Sequence, residues 1–466
     1  MEKPQRAGTA LASQGGSTPL QAEHERLKAL LGVDSTQLRT ISDGFAHELE
    51  VGLSNEKGDI PMNPTWATKL PSGTEKGRYL TMDMGGTNFR VCQVTLHGSG
   101  KFDVVATESK ITTGLKNGTA EQLWHYVADN LQNFIDKHGI SKEELATIPL
   151  AFTFSYPVTQ TSITDGILQT WTKGFNISGV EGHDVVSQLQ KVLDERDLPV
   201  RIVALVNDTV GTLMASRYVD AETEIGSIFG TGSNAAYMER CSQIPKLADH
   251  RFPDDALISI NCEYGAFDNS TRVLPFTDYD IQIDRESPRP GEQRYEKMVA
   301  GLYLGEIFRH ILLDLYKSKE LLFHGQEVAR LAEPYSIDSS FLSRLENDES
   351  PDLQISRNLF EEELSITPTL PEVEFCKALA QLIAERSARL YACGIAAIMK
   401  KRSLERCHVA VDGSVFNKYP DFPQRVLGAL REIFGWRGDL PEPVRIVPAV
   451  DGSSVGAAVI AALVVE

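Results

Sequence analysis

The sequence lacks a long apolar run and any excess of basic residues. No apolar stretch reaches the length of a membrane span without polar interruption, so we expect no span and no membrane partner. The formal net charge of −18 argues against nucleic acid or an anionic membrane as the main partner. Binding of a small polyanion would therefore need a local pocket rich in hydrogen-bond donors.

Cysteines are few, and they show no paired spacing. They are Cys92, Cys241, Cys262, Cys376, Cys393 and Cys407. This spacing fits no metal-binding pattern, and most of the six lie in apolar runs, so we expect buried thiols in a reducing compartment. The predicted location is the cytoplasm, with a nuclear fraction left open.

Length and composition predict a soluble protein of more than one domain. At 466 residues the chain is too long for one ordinary core, so we expect two or three domains. Its 42% hydrophobic and 24% charged residues are typical of globular proteins. Residues 1–20 are rich in Gly, Ser and Thr and lack the apolar core of a signal peptide, which predicts a disordered lead-in.

Two glycine loops each lie between β-patterned runs, at Asp83–Arg90 and at Gly230–Asn234. Because each leads into a second β-patterned run, it predicts a hairpin and not the strand-to-helix phosphate loop of P-loop or dinucleotide-binding proteins. Glycines and hydroxyls in such a turn direct backbone N–H groups toward an anion. Two facing hairpins would bind a triphosphate from both sides. For either loop alone, an ordinary hairpin turn is the alternative.

The first half of the chain alternates helical and strand patterns. Helical periodicity covers residues 21–53, 120–137 and 184–195, and buried strands are predicted over 147–154 and 200–206. The last of these strands ends in polar residues, which is where α/β folds place their sites.

The second half is more helical. Long amphipathic runs cover residues 292–323 and 372–402, and the acidic stretch 336–367 between them predicts a solvated, loop-rich face. Two late strands lead into Asp-Gly-Ser turns, within 408–416 and 446–458. Asp-led glycine loops in both halves favour two related lobes around one nucleotide.

Together these motifs resemble the eukaryotic hexokinase family, within the superfamily of sugar kinases, actin and Hsp70-type ATPases. The resemblance runs from about residue 21 to the C-terminus. It is carried by Asp83–Arg90, Phe152–Pro157, Trp171–Phe175, Val206–Thr209, Gly230–Asn234, Asn261–Phe267, Tyr295–Met298 and, for the fungal members, Ser287–Gly291.

The resemblance implies an α/β fold with two ribonuclease H-like lobes, each a mixed β-sheet with flanking helices, around a deep cleft. The small lobe is expected to comprise residues 78–211 plus 453–466, and the large lobe residues 21–77 plus 212–452. The implied reaction transfers the γ-phosphoryl group of Mg·ATP to the 6-hydroxyl of a hexose, the first step of glycolysis. Glucose is the expected hexose, with mannose and fructose as further substrates.

By resemblance, Asp208 is the base that collects the hydroxyl proton, while Lys173 and Arg90 offset charge on the transferred group. As a lone Asp before Thr, Asp208 would more often be a helix cap. A polyol needs carboxylates and amides that bridge adjacent hydroxyls. The family's sugar-contacting positions are Ser155, Thr172, Lys173, Asn207, Asp208, Asn234, Glu263 and Glu296.

For the nucleotide, the resemblance implies a second set of residues. Phosphate contacts fall on Gly85, Gly86, Thr87 and Asn88, opposed by Thr231 and Gly232, with Gly413 and Ser414 against the adenosine end. Asp83 is expected to orient Mg²⁺ through water, because Mg²⁺ keeps several waters and few protein ligands. The implied cofactors are therefore ATP and Mg²⁺.

Two segments differ from the family pattern. Ile111–Gly114 is shorter and lacks the family's proline and basic residue, and it lies on the nucleotide side. Ser454 replaces a glycine, and a positive φ there would cost about 1 kcal/mol, so we expect a stiffer or differently shaped hinge. Hinges between the lobes are expected near residues 77–78, 210–212 and 452–456.

Two other functions stay open at this point. One is a hexokinase-like, sugar-sensing regulatory protein with little turnover, which would still bind sugar. The other is a chaperone- or filament-type ATPase of the same superfamily, which would hydrolyse ATP without sugar and leave Glu263 and Glu296 without a role. A monomer or weak homodimer is expected, with a hexose and ATP as its small-molecule partners and no nucleic acid.

Overall fold

The computed structural model describes residues 18–250, 252–253, 255–437, 442–449 and 451–465. The first part of the predicted lead-in, residues 1–17, lies outside the described residues. Its last three residues, 18–20, differ from the prediction of disorder, because the Thr18 side chain caps a helix that begins at Pro19. Within the described residues, no helix combines the length and the apolar character needed to span a bilayer.

The strands form two mixed sheets and one short two-stranded pair. They are β1 (Asn63–Pro64), β2 (Lys76–Met84), β3 (Asn88–Gly98), β4 (Lys101–Lys110), β5 (Leu150–Phe154), β6 (Val158–Thr159), β7 (Ile167–Leu168), β8 (Ile202–Val206), β9 (Thr223–Phe229), β10 (Ser233–Arg240), β11 (Leu257–Asn261), β12 (Cys407–Asp412) and β13 (Val444–Pro448). One sheet has the order β4-β3-β2-β5-β8 and the other β1-β11-β10-β9-β12-β13. In each, an antiparallel hairpin adjoins parallel strands. The predicted pair of mixed sheets is therefore confirmed.

Helices cover the faces of both sheets. They are α1 (Pro19–Leu31), α2 (Ser35–Leu53), α3 (Thr113–Lys116), α4 (Ala120–His138), α5 (Lys142–Leu145), α6 (Val185–Glu195), α7 (Asp208–Val219), α8 (Asp278–Glu286), α9 (Arg294–Val299), α10 (Gly301–Lys317), α11 (Ala329–Ala332), α12 (Ser339–Asn347), α13 (Gln354–Leu364), α14 (Leu370–Arg402), α15 (Ser414–Lys418), α16 (Phe422–Phe434) and α17 (Gly452–Val465).

Both glycine loops are the turns of antiparallel hairpins. The first joins β2 to β3, and the second joins β9 to β10. The expectation that neither loop leads from a strand into a helix is therefore correct.

Two helices pack against each other between the sheets. Helix α17 contacts β2, β5 and β8, while α7 contacts β9, β10 and β12. Where they cross, a Cβ added at Gly456 would lie 1.9 Å from the carbonyl oxygen of Gly211. Only glycine permits this approach, which fixes the start of α7 relative to the first sheet.

Two long helical predictions are interrupted in the structure. The pattern over 21–53 is two helices, because Asp34 caps α2 by accepting from the backbone N–H groups of Thr36 and Gln37. The pattern over 292–323 is also two helices, broken at Ala300, whose ψ of 150° is extended.

The prediction of a solvated loop over 336–367 is wrong. Helices α12 and α13 lie there, and Phe341, Leu342 and Phe360 are fully buried. Acidic residues outnumber basic ones in this segment, but its apolar residues recur at helical spacing and pack inward.

All six cysteines are free and buried, as the sequence predicts.

Candidate active site

Asp208 begins helix α7 two residues after strand β8 ends. The preceding residue, Asn207, caps the helix, and its Oδ1 accepts from the backbone N–H of Thr209 at 2.9 Å. Asp208 Oδ1 accepts from the same N–H at 2.9 Å, and Asp208 Oδ2 lies 3.8 Å from Lys173 Nζ. Asn207 is thus the helix cap, and Asp208 presents a carboxylate oxygen to Lys173 at the positive end of the helix dipole.

Lys173 lies between Asp208 and the first hairpin. Its backbone is left-handed, with φ of 56°, and its Nζ donates to the carbonyl oxygen of Ser155 at 2.7 Å. The side chain passes over Gly86, where an added Cβ would lie 3.2 Å from Lys173 Cδ. The ammonium group is therefore held close to both the carboxylate and the glycine turn.

An aromatic cluster supports the loop that carries this lysine. The rings of Trp171 and Phe175 stack with centroids 5.4 Å apart, and Tyr156 meets Trp171 edge-on at 4.8 Å. The Tyr156 hydroxyl donates to the carbonyl oxygen of Gly85 at 3.0 Å. Thr172 lies within the same loop, and its carbonyl accepts from Phe175 N at 3.1 Å. The aromatic cluster thus joins the loop that carries Lys173 to the first hairpin.

The charged residues of the first hairpin contact the beginning of α17. Asp83 stands opposite Arg90 in the β2–β3 pair, and its Oδ2 accepts from Ser453 Oγ at 2.6 Å. Arg90 Nη2 donates to Asp451 Oδ1 at 3.1 Å, so one donor of this predicted catalytic cation is engaged by a carboxylate. Burial raises the pKa of Asp83 to about 6, and the nearby Asp208 carboxylate acts in the same direction.

The turn of the first hairpin is closed by its own backbone. Gly85 N donates to Asn88 O at 3.1 Å, and Ile111 N donates to Thr87 O at 2.9 Å. Thr112 then caps the short helix α3. Residues 111–114 thus flank the turn of the first hairpin.

Ser454 does not strain the hinge as predicted. It lies fully buried in the first turn of α17, and the positive φ in this region falls on Asp451 instead, at 48°. Its hydroxyl accepts from Cys92 Sγ at 3.4 Å. The expected cost of a positive φ at Ser454 is therefore wrong, because the residue is helical.

The second hairpin is packed closely by two other glycines. Gly413 has φ of 137°, and a Cβ there would lie 2.2 Å from the carbonyl oxygen of Phe229. Gly230 O accepts from Gly301 N at 2.8 Å. Ser414 follows directly and begins α15. The Asp-Gly-Ser turn at 412–414 therefore lies against the second hairpin.

Glu296 contacts the turn of the second hairpin. Its Oε2 accepts from Ser233 N at 3.0 Å, and a Cβ at Gly232 would lie 2.7 Å from that oxygen. Thr231 lies between Gly230 and Gly232 at the tip. Burial raises the pKa of Glu296. A predicted sugar ligand and a predicted phosphate loop are thus in direct contact.

Glu263 and Asn234 are joined through Asn261, a residue that was not among the predicted site residues. Asn261 Nδ2 donates to Glu263 Oε1 at 2.8 Å, and Asn261 Oδ1 accepts from Asn234 Nδ2 at 2.8 Å. Burial raises the pKa of Glu263 to about 7, and the Asn261 hydrogen bond opposes that rise. Asn261 belongs to a matching motif, but nothing in its spacing indicates this contact.

Two hexokinase family models match the chain, one over residues 23–218 and the other over residues 224–463. The chain belongs to the hexokinase family.

The sequence and the structure of this hexokinase are similar to those of known hexokinases over nearly the full length of the chain. It is 51% identical to the hexokinase of Emericella nidulans, over 95% of this chain and 91% of the relative. It is 47% identical to hexokinase-1 of Saccharomyces cerevisiae, over 95% of this chain and 92% of that relative. The structure of the Schistosoma mansoni hexokinase complexed with glucose superimposes with a TM-score of 0.85 at 34% identity, covering 96% of this chain and all of that one. This hexokinase is therefore a two-lobed sugar kinase.

Hexokinases use ATP with Mg²⁺, and the two hairpins of this hexokinase suit the phosphates. Glycine stands where a side chain would collide, as at Gly232 and Gly413. The buried oxygen Oδ1 of Asn88 has no hydrogen-bond partner among the described residues, so turning this amide over would cost no bond of the oxygen and would present its NH2 donors to a phosphate at the first turn. Open backbone N–H groups in glycine turns are the usual binding groups for phosphate.

The first hairpin also suits Mg²⁺. Asp83 is buried near a second carboxylate, that of Asp208, and both burial and this neighbour disfavour its charged form. A bound cation would offset both effects, and Mg²⁺ takes carboxylate oxygens while keeping several waters. Asp83 of this hexokinase would therefore hold Mg²⁺ through water, and the ion would supply neutralisation of phosphate charge.

Proposed function

We propose that this hexokinase phosphorylates glucose at its 6-hydroxyl, with Asp208 as the base, and that mannose and fructose are further substrates. The observation that carries the proposal is the position of Asp208 at the start of α7, where its Oδ2 lies 3.8 Å from Lys173 Nζ. Asp83 and Glu263 lie near enough for the Asp208 carboxylate to raise the pKa of each. A sugar hydroxyl at Asp208 would therefore lie between the two predicted sets of ligands.

In the proposed reaction, the 6-hydroxyl oxygen forms a bond to the γ-phosphorus while the bond to the β,γ-bridging oxygen breaks. The hydroxyl proton passes to Asp208 Oδ2, and ADP leaves with the bond electrons. The transition state of such transfers is loose, so positioning and charge stabilisation dominate. Lys173 supplies positive charge at the transferred group, and Arg90, which gives only one of its N–H donors to Asp451, adds to it.

The sugar would be held by carboxylate and amide groups. Glu263, Glu296 and Asn234 each offer oxygens or N–H groups that bridge adjacent hydroxyls. Burial raises the pKa of both glutamates, and hydroxyl donors from a bound sugar would favour their charged forms. A neutral polyol therefore suits this site better than an anionic ligand does.

We further propose a cytoplasmic monomer or weak homodimer, with a nuclear fraction left open. The six free, buried thiols support a reducing compartment. The net charge of −18 supports the absence of nucleic acid as a partner.

The first experiment measures ADP formation with Mg·ATP, with and without glucose, mannose or fructose. Glucose-dependent ADP formation that is lost in Asp208→Ala is the expected result. Absence of turnover, with glucose still raising the melting temperature, would overturn the proposal in favour of a sugar-sensing regulatory protein. ADP formation without any sugar would instead favour an ATPase.

A further inference from the structure

Asn261 closes a ring of hydrogen bonds around the predicted sugar ligands. It is the last residue of β11 and only 1% exposed. Its Nδ2 donates to Glu263 Oε1 at 2.8 Å, and its Oδ1 accepts from Asn234 Nδ2 at 2.8 Å. Asn234 Oδ1 in turn accepts from Glu263 N at 2.9 Å, which completes the ring.

The ring leaves specific groups available to a ligand. In the Asn234 amide, Nδ2 donates to Asn261 and Oδ1 accepts from Glu263 N, so the amide cannot turn over without losing hydrogen bonds. Glu263 Oε2 accepts no hydrogen bond from the part of the chain that the structure describes, whereas Oε1 is taken by Asn261. Glu263 itself has a left-handed backbone, with φ of 53°, which costs free energy and needs support from its surroundings.

The same asparagine reaches the start of the helix that carries the base. Thr209 Oγ1 lies 3.5 Å from Asn261 Oδ1, and Thr209 N donates to both Asn207 and Asp208. Asn261 therefore contacts both Glu263 after β11 and Thr209, the residue that follows Asp208 in α7.

We propose that Asn261 is a positioning residue for the sugar site, which orients Asn234 and directs the free oxygen of Glu263 toward the sugar. Because Asn261 is only 1% exposed while Asn234 and Glu263 are partly exposed, it acts through them and not by touching the sugar. The inference rests on the proposed function, since it assigns Glu263 and Asn234 to sugar binding.

The charges around Glu263 make the role measurable. Asp208 of α7 and Glu296 of α9 oppose its ionisation, while Lys173 and the Asn261 donor favour it. With burial dominant, its pKa stands at about 7. Removal of the Asn261 donor should therefore raise the pKa further, so the variant should lose sugar affinity at a higher pH than the parent protein.

The test measures glucose affinity by calorimetry, without ATP, across a range of pH from about 6 to about 9. For Asn261→Ala we expect about tenfold weaker binding at pH near 7, the effect of one lost hydrogen bond to a charged group. The loss should shrink at the alkaline end, and the midpoint of the pH profile should move upward. In steady state, KM should rise about tenfold while kcat changes by less than about threefold.

Controls separate positioning from folding. Ser259→Ala, on the same strand and also fully buried, removes a hydrogen bond to Thr65 and should leave the pH profile unchanged. If Asn261→Ala fails to fold, Asn261→Ser takes its place. In a Glu263→Gln background, Asn261→Ala should no longer move the pH midpoint.

A pH-independent loss of affinity, or no loss, in a folded Asn261 variant would overturn the inference and leave the proposed function intact. A parent protein that binds glucose but transfers phosphate to no hexose would overturn the proposed function, while the pH shift would still support the positioning role. A parent protein that binds no sugar at any pH would overturn both.

Discussion

Arg289 Nη1 donates a hydrogen bond to Thr170 Oγ1 at 2.8 Å. The bond joins the loop before α9, which carries Glu296, to the loop that carries Lys173. The backbone of Arg289 is fixed by a second hydrogen bond, because the buried ammonium group of Lys297 donates to its carbonyl oxygen at 2.8 Å. The contact thus links the two segments that carry the predicted sugar ligands Glu296 and Lys173, and the Arg289 side chain is 38% exposed to water.

The Arg289–Thr170 contact should favour the arrangement that binds sugar. For Arg289→Ala we expect the glucose KM to rise about three- to tenfold, the effect of one hydrogen bond, with kcat nearly unchanged. Steady-state kinetics check this, and Arg285→Ala on the exposed face of α8 is the matched control. Equal KM values for the two variants would remove any role for the contact in binding.

Asp208 should act on the chemical step and not on affinity. Asp208→Asn keeps an oxygen that accepts from Thr209 N, so α7 should start as before. We expect kcat to fall about 10²- to 10⁴-fold, the usual contribution of a general base, with glucose affinity within about tenfold. Asp220→Asn, at the opposite end of the same helix, is the control. Loss of glucose binding in a folded Asp208→Asn protein would contradict the assigned role.

Glu263→Gln should stabilise the sugar-free protein at alkaline pH. The folded-state pKa of Glu263 is about 7, above its ordinary value of 4.5. Its stabilising contribution is therefore present below about pH 4.5 and lost as the pH rises through about 7, because the charged form is disfavoured when buried. At pH near 8 the variant should melt a few degrees higher than the parent protein, and near pH 5 the difference should shrink.

Thermal melts with and without glucose measure this effect. Glucose should raise the melting temperature of the parent protein by more than that of Glu263→Gln, which should still bind glucose, but more weakly. Glu25→Gln, on the exposed side of α1, should change neither curve. A Glu263→Gln protein that is less stable than the parent at pH 8 would contradict the sign of the shift.

Much of the site follows from short-range patterns. The turns at 85–87 and 230–232 were predictable because glycines between two β-patterned runs can only join strands as a hairpin. Asp208 was predictable as a site residue from its position after a buried strand, together with the family resemblance. Both kinds of information lie within a few consecutive residues.

Long-range geometry could not be predicted in the same way. The role of Asn261 depends on the β10–β11 register, which sets Asn261 opposite Ala236, and on the left-handed backbone of Glu263. The pairing of Arg90 with Asp451 depends on how α17 meets the first hairpin. Neither relationship leaves a periodic signal, because Asn234 lies 27 residues from Asn261 and Arg90 lies 361 residues from Asp451.

The crossing of α7 and α17 should be the most sensitive packing contact near the site. A Cβ at Gly456 would lie 1.9 Å from Gly211 O, so Gly456→Ala must separate the two helices. We expect a loss of about 1–3 kcal/mol or more in the free energy of unfolding. The displaced α17 also carries Ser453, whose hydroxyl donates to Asp83 at 2.6 Å, so kcat should fall as well.

Gly428→Ala supplies the matched control for this contact. Gly428 lies inside helix α16, and an added Cβ there meets nothing within 4 Å. Alanine should therefore stabilise that helix by up to about 1 kcal/mol, since it removes only backbone freedom from the unfolded chain. Denaturant unfolding and steady-state kinetics compare the two variants. If Gly456→Ala were as stable and active as Gly428→Ala, the close approach of α7 and α17 would not be what holds Asp208 and Asp83 in one site.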